Sequence, residues 1–128
     1  MLLIRTYLKP SQIHGIGLFA VEAVSKGAII WQFHPKVDNL ISFSTFETLP
    51  EHTRKTIEHY ATKDIQRSVY VLSGDDDRFT NHSLEPNTGL FGDDVVALTH
   101  IQADDEITAD YNFIGMSFVP SSYKIYAE

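Results

Sequence analysis

The segment Arg78–Asn87 reads RFTNHSLEPN, and the segment Asp105–Tyr111 downstream of it reads DEITADY. Taken alone, the first segment predicts a turn, because Asn, Ser and Pro bond to their own backbone and disfavour regular structure. A third segment, His14–Ala20, reads HGIGLFA and lies near the start of the chain. The order and spacing of the three segments carry more information about the fold than any one of them.

In this order and at this spacing, the three segments resemble those of the SET-domain protein lysine methyltransferases. The resemblance runs from about Ile13 to Phe113, and between Val37 and Asp77 it rests on position and length only. It implies a mainly β fold with one short helical insert, the β-clip-like SET fold of several small curved sheets. It also implies a C-terminal pseudoknot, in which the segment around Tyr111 passes under a loop near the Asn-His-Ser segment. Periodicity alone does not predict such a crossing, because threaded chains are rare.

The length and composition predict a single globular domain over residues 1–128. The chain is 43% hydrophobic and 12% aromatic, and it contains no cysteine. The lack of cysteine excludes disulfide bonds and a zinc site with thiolate ligands. Many SET proteins close their substrate channel with a cysteine-ligated zinc module, so this sequence resembles the minimal, core-only members instead.

The net charge and the N-terminal sequence bear on partners and location. A formal net charge of −7 argues against direct binding of nucleic acid, because phosphate binding relies on clustered Lys and Arg. The same charge would steer a basic peptide inward, although it is also common where surface charge serves solubility alone. Met1–Tyr7 lacks the basic region of a signal peptide, and no apolar run reaches the roughly 18 residues of a membrane span. We therefore expect a cytoplasmic protein that contacts neither membrane nor nucleic acid.

Hydrophobic patterning predicts a domain of many short strands with one helical stretch. The helical stretch covers Ser44–Ala61 and is interrupted or restarted at Pro50, and Ser73–Asp77 reads as a polar loop. Such a series indicates a β-rich domain. The predicted strands are Leu2–Leu8, Leu18–Ala23, Ala28–Phe33, Gln66–Leu72, Val95–Ile101 and Glu106–Ala109.

The candidate cofactor-binding residues lie in the first two motifs. Gly15 and Gly17 alone indicate a tight turn, and the missing third glycine excludes a dinucleotide-binding fingerprint. The resemblance implies that S-adenosylmethionine is the cofactor and that Ile16 and Gly17 offer backbone groups to its amino-acid end. It also implies that Asn81 binds the cofactor's ammonium and carboxylate, and that His82 makes backbone contacts with its adenine. For the His82 imidazole itself we favour a structural role.

Tyr111 is the candidate catalytic residue, and the resemblance also places it beside the cofactor. An ordinary Tyr pKa of about 10 makes it a poor general base near neutrality, so we assign its hydroxyl an orienting and electrostatic role. Two positions depart from the family pattern: Asp104 replaces a usual Gly, and Asn112 replaces a Gly that often follows the Tyr.

The substrate channel is expected to involve the aromatic tail over residues 113–128. The resemblance places Phe113 at an aromatic lining position, and Phe118 and Tyr123 are candidates to fold over the channel in place of the zinc module. Ordinary core packing is the alternative role for these side chains.

No metal site is expected. The spacing of His52 and His59 does not suit two ligands on one helical turn, and Asp75–Asp77 lacks the alternate spacing and the glycine of a calcium loop.

The sequence therefore predicts a protein lysine N-methyltransferase that depends on S-adenosylmethionine and methylates a lysine ε-amine. The expected partner is a lysine-containing protein, a histone or another basic protein. The first alternative is a non-catalytic SET-fold module for protein interaction, and the second is a methyltransferase for a small amine. A homodimer is expected as a way to complete the peptide groove.

Overall fold

The computed structural model describes residues 1–92 and 94–111. These residues form short strands with two α-helices between the fourth and fifth strands. The strands are β1 (Thr6–Pro10), β2 (Ile16–Ala20), β3 (Ile29–Gln32), β4 (Asn39–Ser42), β5 (Thr62–Asp64), β6 (Val69–Leu72), β7 (Asn81–His82), β8 (Thr88–Phe91), β9 (Asp94–Ala97) and β10 (Thr108–Ala109). The helices are α1 (Phe43–Thr48) and α2 (Glu51–Tyr60), and a 3-10 turn spans Asp76–Phe79. No helix in the described part is long and apolar enough to cross a membrane.

The strands belong to small separate sheets, as expected for the mainly β fold. The following pairings are antiparallel: β1 pairs with β2, β9 lies between β3 and β8, and β6 lies between β4 and β5. The remaining pair, β7 with β10, is parallel and places Asn81 beside Thr108 and His82 beside Ala109. This pair brings the second and third sequence motifs together.

The side chain of Asn87 holds the segment that leads to Tyr111 against the loop after β7. Its Nδ2 donates to the Glu106 carbonyl at 2.8 Å, and its Oδ1 accepts from the Thr108 N–H at 2.9 Å. The backbone N–H of Ser83 also donates to the Ala109 carbonyl at 3.0 Å. These bonds join the two segments that the expected pseudoknot brings together.

The helical insert consists of two short helices, α1 and α2. Ser42 begins α1, because its hydroxyl accepts from the Thr45 N–H at 3.1 Å. The chain is extended at Leu49 and Pro50, and α2 starts directly after the proline. Proline lacks an N–H and cannot continue a preceding helix, but its φ suits the start of a new one. The predicted helical insert and its interruption at Pro50 are therefore confirmed.

Three buried clusters fill the spaces between the sheets and the helices. The first contains Leu18, Ala20, Val24, Ile30, Ala97, Ile101 and Ile107; the second Trp31, Val69 and Val71; and the third Phe46, Ile57 and Tyr70. Consecutive residues of β3, Ile30 and Trp31, and of β6, Val69 and Tyr70, belong to different clusters, so both faces of these strands are packed. The domain therefore has a distributed core rather than a single layer.

Several predicted strands differ from the observed ones in extent. Over Leu2–Leu8 the regular ladder begins only at Thr6, because the chain changes partner: Leu2 bridges to Trp31, whereas β1 pairs with β2. The prediction Val95–Ile101 is too long at its C-terminal end, since the N–H of Leu98 donates to the Asn87 carbonyl outside the ladder. Strands β4, β5, β7 and β8 were not predicted; each has only two to four residues and lacks a clear alternation.

Candidate functional site

A cavity of about 310 Å³ lies between the end of α2 with β5 on one side and the core strands with the 3-10 turn on the other. Its apolar wall comes from Ile30, Trp31, Val71, Val95 and Ile107. The remaining lining residues are Glu58, His59, Tyr60, Ala61, Thr62, Lys63, Ser73, Asp77, Arg78, Thr80, Thr88, Ala109, Asp110 and Tyr111. A volume of this size accommodates a side chain or part of a small ligand.

Tyr111 lines this cavity and is fixed at three points. Its hydroxyl donates to the Thr80 carbonyl, its backbone N–H donates to His82 Nδ1 at 2.9 Å, and its ring lies 5.2 Å from the His82 ring. The side chain remains 58% exposed, so it is open to a ligand. Partial burial, and then the negative charges of Asp77 and Glu106, raise the pKa of Tyr111 above its ordinary value. The phenol is therefore neutral near pH 7, in agreement with an orienting role and not with a general base.

The His82 imidazole has a structural role in this arrangement. Its Nδ1 accepts the Tyr111 N–H and must therefore be unprotonated there, although the Asp110 carboxylate lies 3.7 Å away. The His82 ring thus holds the backbone N–H of Tyr111 in place. The predicted backbone contacts of His82 with adenine stay a prediction.

Asn81 joins all three sequence motifs. It is 8% exposed, and its Nδ2 donates to the His14 carbonyl at 2.9 Å and to Glu106 Oε2 at 3.0 Å, with the Ile16 carbonyl at 3.4 Å. Residues that are 65 and 67 positions apart in sequence therefore share one polar centre. Asparagine suits this place because its amide offers two donors and an acceptor on one side chain.

Glu106 is a member of this centre that the sequence did not indicate. Its carboxylate accepts from the Ser11 hydroxyl at 2.7 and 2.9 Å in addition to Asn81. A Cβ on Gly17 would lie 2.6 Å from Glu106 Oε2 and 3.0 Å from the Ser11 Cβ. A larger residue at position 17 would therefore displace the Glu106 carboxylate. Glu106 lies within the third sequence motif, and this position was the feature of the sequence that could have identified it.

The oxygens around Asn81 provide a test of the predicted cofactor. Two backbone carbonyls and one carboxylate converge on its Nδ2, which makes an acceptor-rich centre. Such a set fits an ammonium group, and the Glu106 charge disfavours a carboxylate at the same point. Beside it, Ile16 is half-exposed and Gly15 has a φ of +47° in an open position. These residues therefore fit the amino group of S-adenosylmethionine.

Asp104 adopts the backbone conformation that a glycine would favour. Its φ is +70°, in the left-handed region that few residues other than Gly, Asn and Asp adopt. The Tyr7 hydroxyl donates to its carboxylate at 2.7 Å and so stabilises this turn. The replacement of Gly at this position therefore leaves the turn intact.

The cavity contains further groups that the sequence did not identify as site residues. Tyr60 ends α2, and its ring lies 5.6 Å from that of Phe79 in an edge-to-face contact. The Asp77 carboxylate accepts from the Ser73 hydroxyl at 2.7 Å, and burial, with the charges of Asp75 and Asp38, raises its pKa to about 6 despite the Ser73 bond. The indole N–H of Trp31 is buried without a partner among the described residues.

Part of the predicted site lies outside the described residues. Phe113, Phe118 and Tyr123, the expected channel walls, belong to the segment 112–128, as does Asn112. Within the described ranges, no group of three or more His, Asp or Glu side chains could hold a metal ion.

Comparison with known proteins identifies the family. The SET domain family model matches residues 15–112, and no curated protein sequence matches. A Plasmodium falciparum protein assigned as a histone methyltransferase is similar in structure, with a TM-score of 0.59 and 23% identity over 86% of this chain and 95% of that one.

The Chaetomium thermophilum Polycomb repressive complex 2 gives a TM-score of 0.66 at 24% identity over 85% of this chain. The match spans only 15% of that complex's chain. Both similarities confirm the expected mainly β architecture of several small sheets. By its fold and its matched residues, the chain belongs to the SET domain family.

Proposed function

We propose that this protein is a protein lysine N-methyltransferase that uses S-adenosylmethionine. The observation that carries the proposal is that the three motifs meet at Asn81. Next to Asn81 in sequence, His82 accepts the backbone N–H of Tyr111, which lines the cavity. Membership of the SET domain family, whose members include protein lysine methyltransferases, supports it. Because one structural relative is named as a histone methyltransferase, we propose histones as the model substrates.

The proposed cofactor site is the acceptor-rich centre at the start of β2. Asn81, Glu106 and the carbonyls of His14 and Ile16 would hold the cofactor's amino group. When bound, S-adenosylmethionine supplies a methyl group on a positively charged sulfur. The backbone groups of Ile16 and Gly17 would orient the amino-acid end of S-adenosylmethionine, as the resemblance implies.

The chain's own residues would act by desolvation and alignment. A lysine amine has an ordinary pKa of about 10.4, so its neutral form costs roughly 4 to 5 kcal/mol near pH 7. The apolar wall formed by Ile30, Val71 and Ile107 disfavours the ammonium and lowers this cost. Tyr111 stays protonated because its pKa is raised, and its hydroxyl, directed at the Thr80 carbonyl, would orient the neutral amine.

The proposed partner is a basic, lysine-containing protein that acts in the cytoplasm with this chain. The net charge of −7 favours such a partner over nucleic acid. A homodimer that completes the peptide groove is part of the same proposal. A strictly monomeric protein at assay concentration, in analytical ultracentrifugation, would contradict the dimer without affecting the chemistry.

Calorimetric titration with S-adenosylmethionine tests the proposal. We expect the wild type to bind, Asn81→Ala to lose about tenfold or more in affinity, and Tyr111→Phe to keep it within about twofold, because only Asn81 belongs to the polar centre. Transfer of labelled methyl groups to a histone mixture should fall at least tenfold in Tyr111→Phe.

Tyr7→Phe is the matched control, because it removes a phenolic hydroxyl from a residue that does not line the cavity. That hydroxyl bonds to Asp104 instead. It should leave binding and transfer unchanged. A folded wild type that binds no S-adenosylmethionine would refute the proposal and favour the non-catalytic interaction module.

A further inference from the structure

Within the ranges 1–92 and 94–111, three carboxylate side chains line the cavity, those of Glu58, Asp77 and Asp110, and Asp77 is the one that the 3-10 turn contributes. Asp77 lines the cavity from the 3-10 turn, and its negative charge raises the pKa of Tyr111. Its Oδ2 accepts from the Ser73 hydroxyl at 2.7 Å, and its Oδ1 lies 3.4 Å from the Thr80 hydroxyl. The carboxylate is therefore partly buried, oriented by two neutral donors, and next to the residue proposed to orient the amine.

This carboxylate has no ion-pair partner in the described part of the chain. No Lys, Arg or His nitrogen of those residues lies within 4.0 Å of it. Arg78, its neighbour in sequence, instead directs its guanidinium to the Ser73 carbonyl at 2.8 and 3.1 Å. The nearby N-terminal ammonium forms its ion pair with Asp38. A partly buried carboxylate without an ion pair of its own has capacity to bind a cation, since its desolvation has already occurred in the fold.

The rest of the cavity suits the stem of a cationic side chain. Aliphatic side chains form one wall, and the rings of Trp31, Tyr60 and Tyr111 lie around it. Apolar surface contacts the methylene groups of an alkylamine, and aromatic faces attract its charged end. A lysine side chain therefore matches this cavity both in its stem and in its head group.

We propose that Asp77 binds the ammonium group of the incoming lysine and makes the cavity selective for a cationic alkyl side chain. This inference rests on the proposed function, because it assigns the capture of that reaction's substrate. An anion beside the amine opposes the loss of its proton. Asp77 thus acts in capture of the substrate, and the apolar wall and Tyr111 act on the amine afterwards.

The charge that Asp77 carries depends on pH near neutrality. Its pKa of about 6 means that the carboxylate is mostly ionised at pH 7 and mostly neutral at pH 5. Capture should therefore weaken as the pH falls through about 6. The charged or titratable groups around it are the N-terminal ammonium, Asp38, Asp75, Arg78, Glu58, His59, Lys63, Asp110 and Tyr111.

The test compares two small probes by NMR titration near pH 7. One is N-acetyl-lysine N-methylamide, and the other is N-acetyl-norleucine N-methylamide, which has a similar stem and no charge. We expect the wild type to prefer the lysine probe by about tenfold or more, and Asp77→Asn to lose this preference. Asp77→Glu, which keeps the charge, should retain part of it.

Asp76→Asn is the matched control, because it removes the same charge from an exposed neighbour in the same turn. It should keep the preference. Ser73→Ala is a second variant that retains the carboxylate: it removes a bond that lowers the Asp77 pKa, so the pH midpoint of the preference should move upward.

Equal binding of the two probes by the wild type, no binding of either, or an unchanged preference in Asp77→Asn would overturn the inference. S-adenosylmethionine binding by the wild type is measured separately. Retained cofactor binding with no preference for the lysine probe refutes the role of Asp77 alone, whereas absent cofactor binding refutes the proposed function.

Discussion

At Asp77, stability and the proposed capture of a cation oppose each other. The folded protein raises the carboxyl pKa from 3.8 to about 6, chiefly through burial. The fold therefore favours the protonated form. This contribution to stability is complete below about pH 4 and is lost as the pH rises through about 6, so at pH 7 the ionised group weakens the fold by roughly 1 to 3 kcal/mol. A site that binds a cation retains such a group at a cost in stability.

We expect Asp77→Asn to raise the free energy of unfolding by about 1 to 3 kcal/mol at pH 7, and to change it little at about pH 4, where Asp77 is neutral. Asn retains an oxygen that can accept from Ser73. Urea denaturation at both pH values measures the difference, with Asp76→Asn as the control that should show no comparable gain. A gain of equal size at both pH values would mean that the charge is not responsible.

At the scale of elements, the helical insert matters because its last turn lines the cavity. Helix α2 ends at Tyr60, and α1 precedes it across the break at Pro50. The sequence predicted this break because proline cannot continue a helix. It did not predict β4, which leads directly into α1, because a four-residue strand adjoining a helix has no periodicity of its own.

The junction between β4 and α1 depends on the Ser42 side chain. Its hydroxyl caps α1 by accepting from the Thr45 N–H at 3.1 Å. We expect Ser42→Ala to lower the free energy of unfolding by about 1 kcal/mol, because a helix N–H loses its partner. Ser44 serves as the control, because its hydroxyl contacts that of Ser42 at 3.2 Å and does not cap the helix; Ser44→Ala should have a smaller effect in the same thermal and urea measurements. Equal losses in both variants would argue against a capping role.

At the scale of the whole molecule, the site depends on one long-range connection. The segment that carries Tyr111 is attached to the loop after β7 through Asn87, which bonds to the backbone of Glu106 and Thr108. If that connection opens, Tyr111 loses its place beside His82, and Glu106 loses its place beside Asn81. Stability and site geometry are therefore coupled at this point.

Asn87→Ala should lower the free energy of unfolding by about 2 to 4 kcal/mol, because a backbone carbonyl and a backbone N–H both lose their partner. Hydrogen exchange should show the largest loss of protection at β7 and β10. Asn39→Ala, at an exposed position of β4, is the matched control and should leave both regions protected. Unchanged protection at β10 in Asn87→Ala would contradict the role of Asn87 in holding the two segments together.

The motifs and the broad fold class follow from the order and pattern of residues along the chain. Three short segments in a fixed order indicated the family, and β-rich patterning together with Pro50 indicated short strands around an interrupted helix. These features are local or follow from order along the chain, so they can be read without coordinates. Phe113, Phe118 and Tyr123 stay predictions, since they lie outside the described residues.

Which side chains meet depends on how the chain packs in three dimensions. The Glu106 carboxylate lies 2.6 Å from the position of a Cβ on Gly17. Asp77 lines the same cavity as Tyr111, although the sequence placed it in a polar loop. The cavity combines the end of α2, the 3-10 turn and the segment after β10, which are far apart along the chain. Such contacts arise from strand pairing and chain crossing, which no local pattern encodes, and burial shifts a pKa only once these elements have assembled.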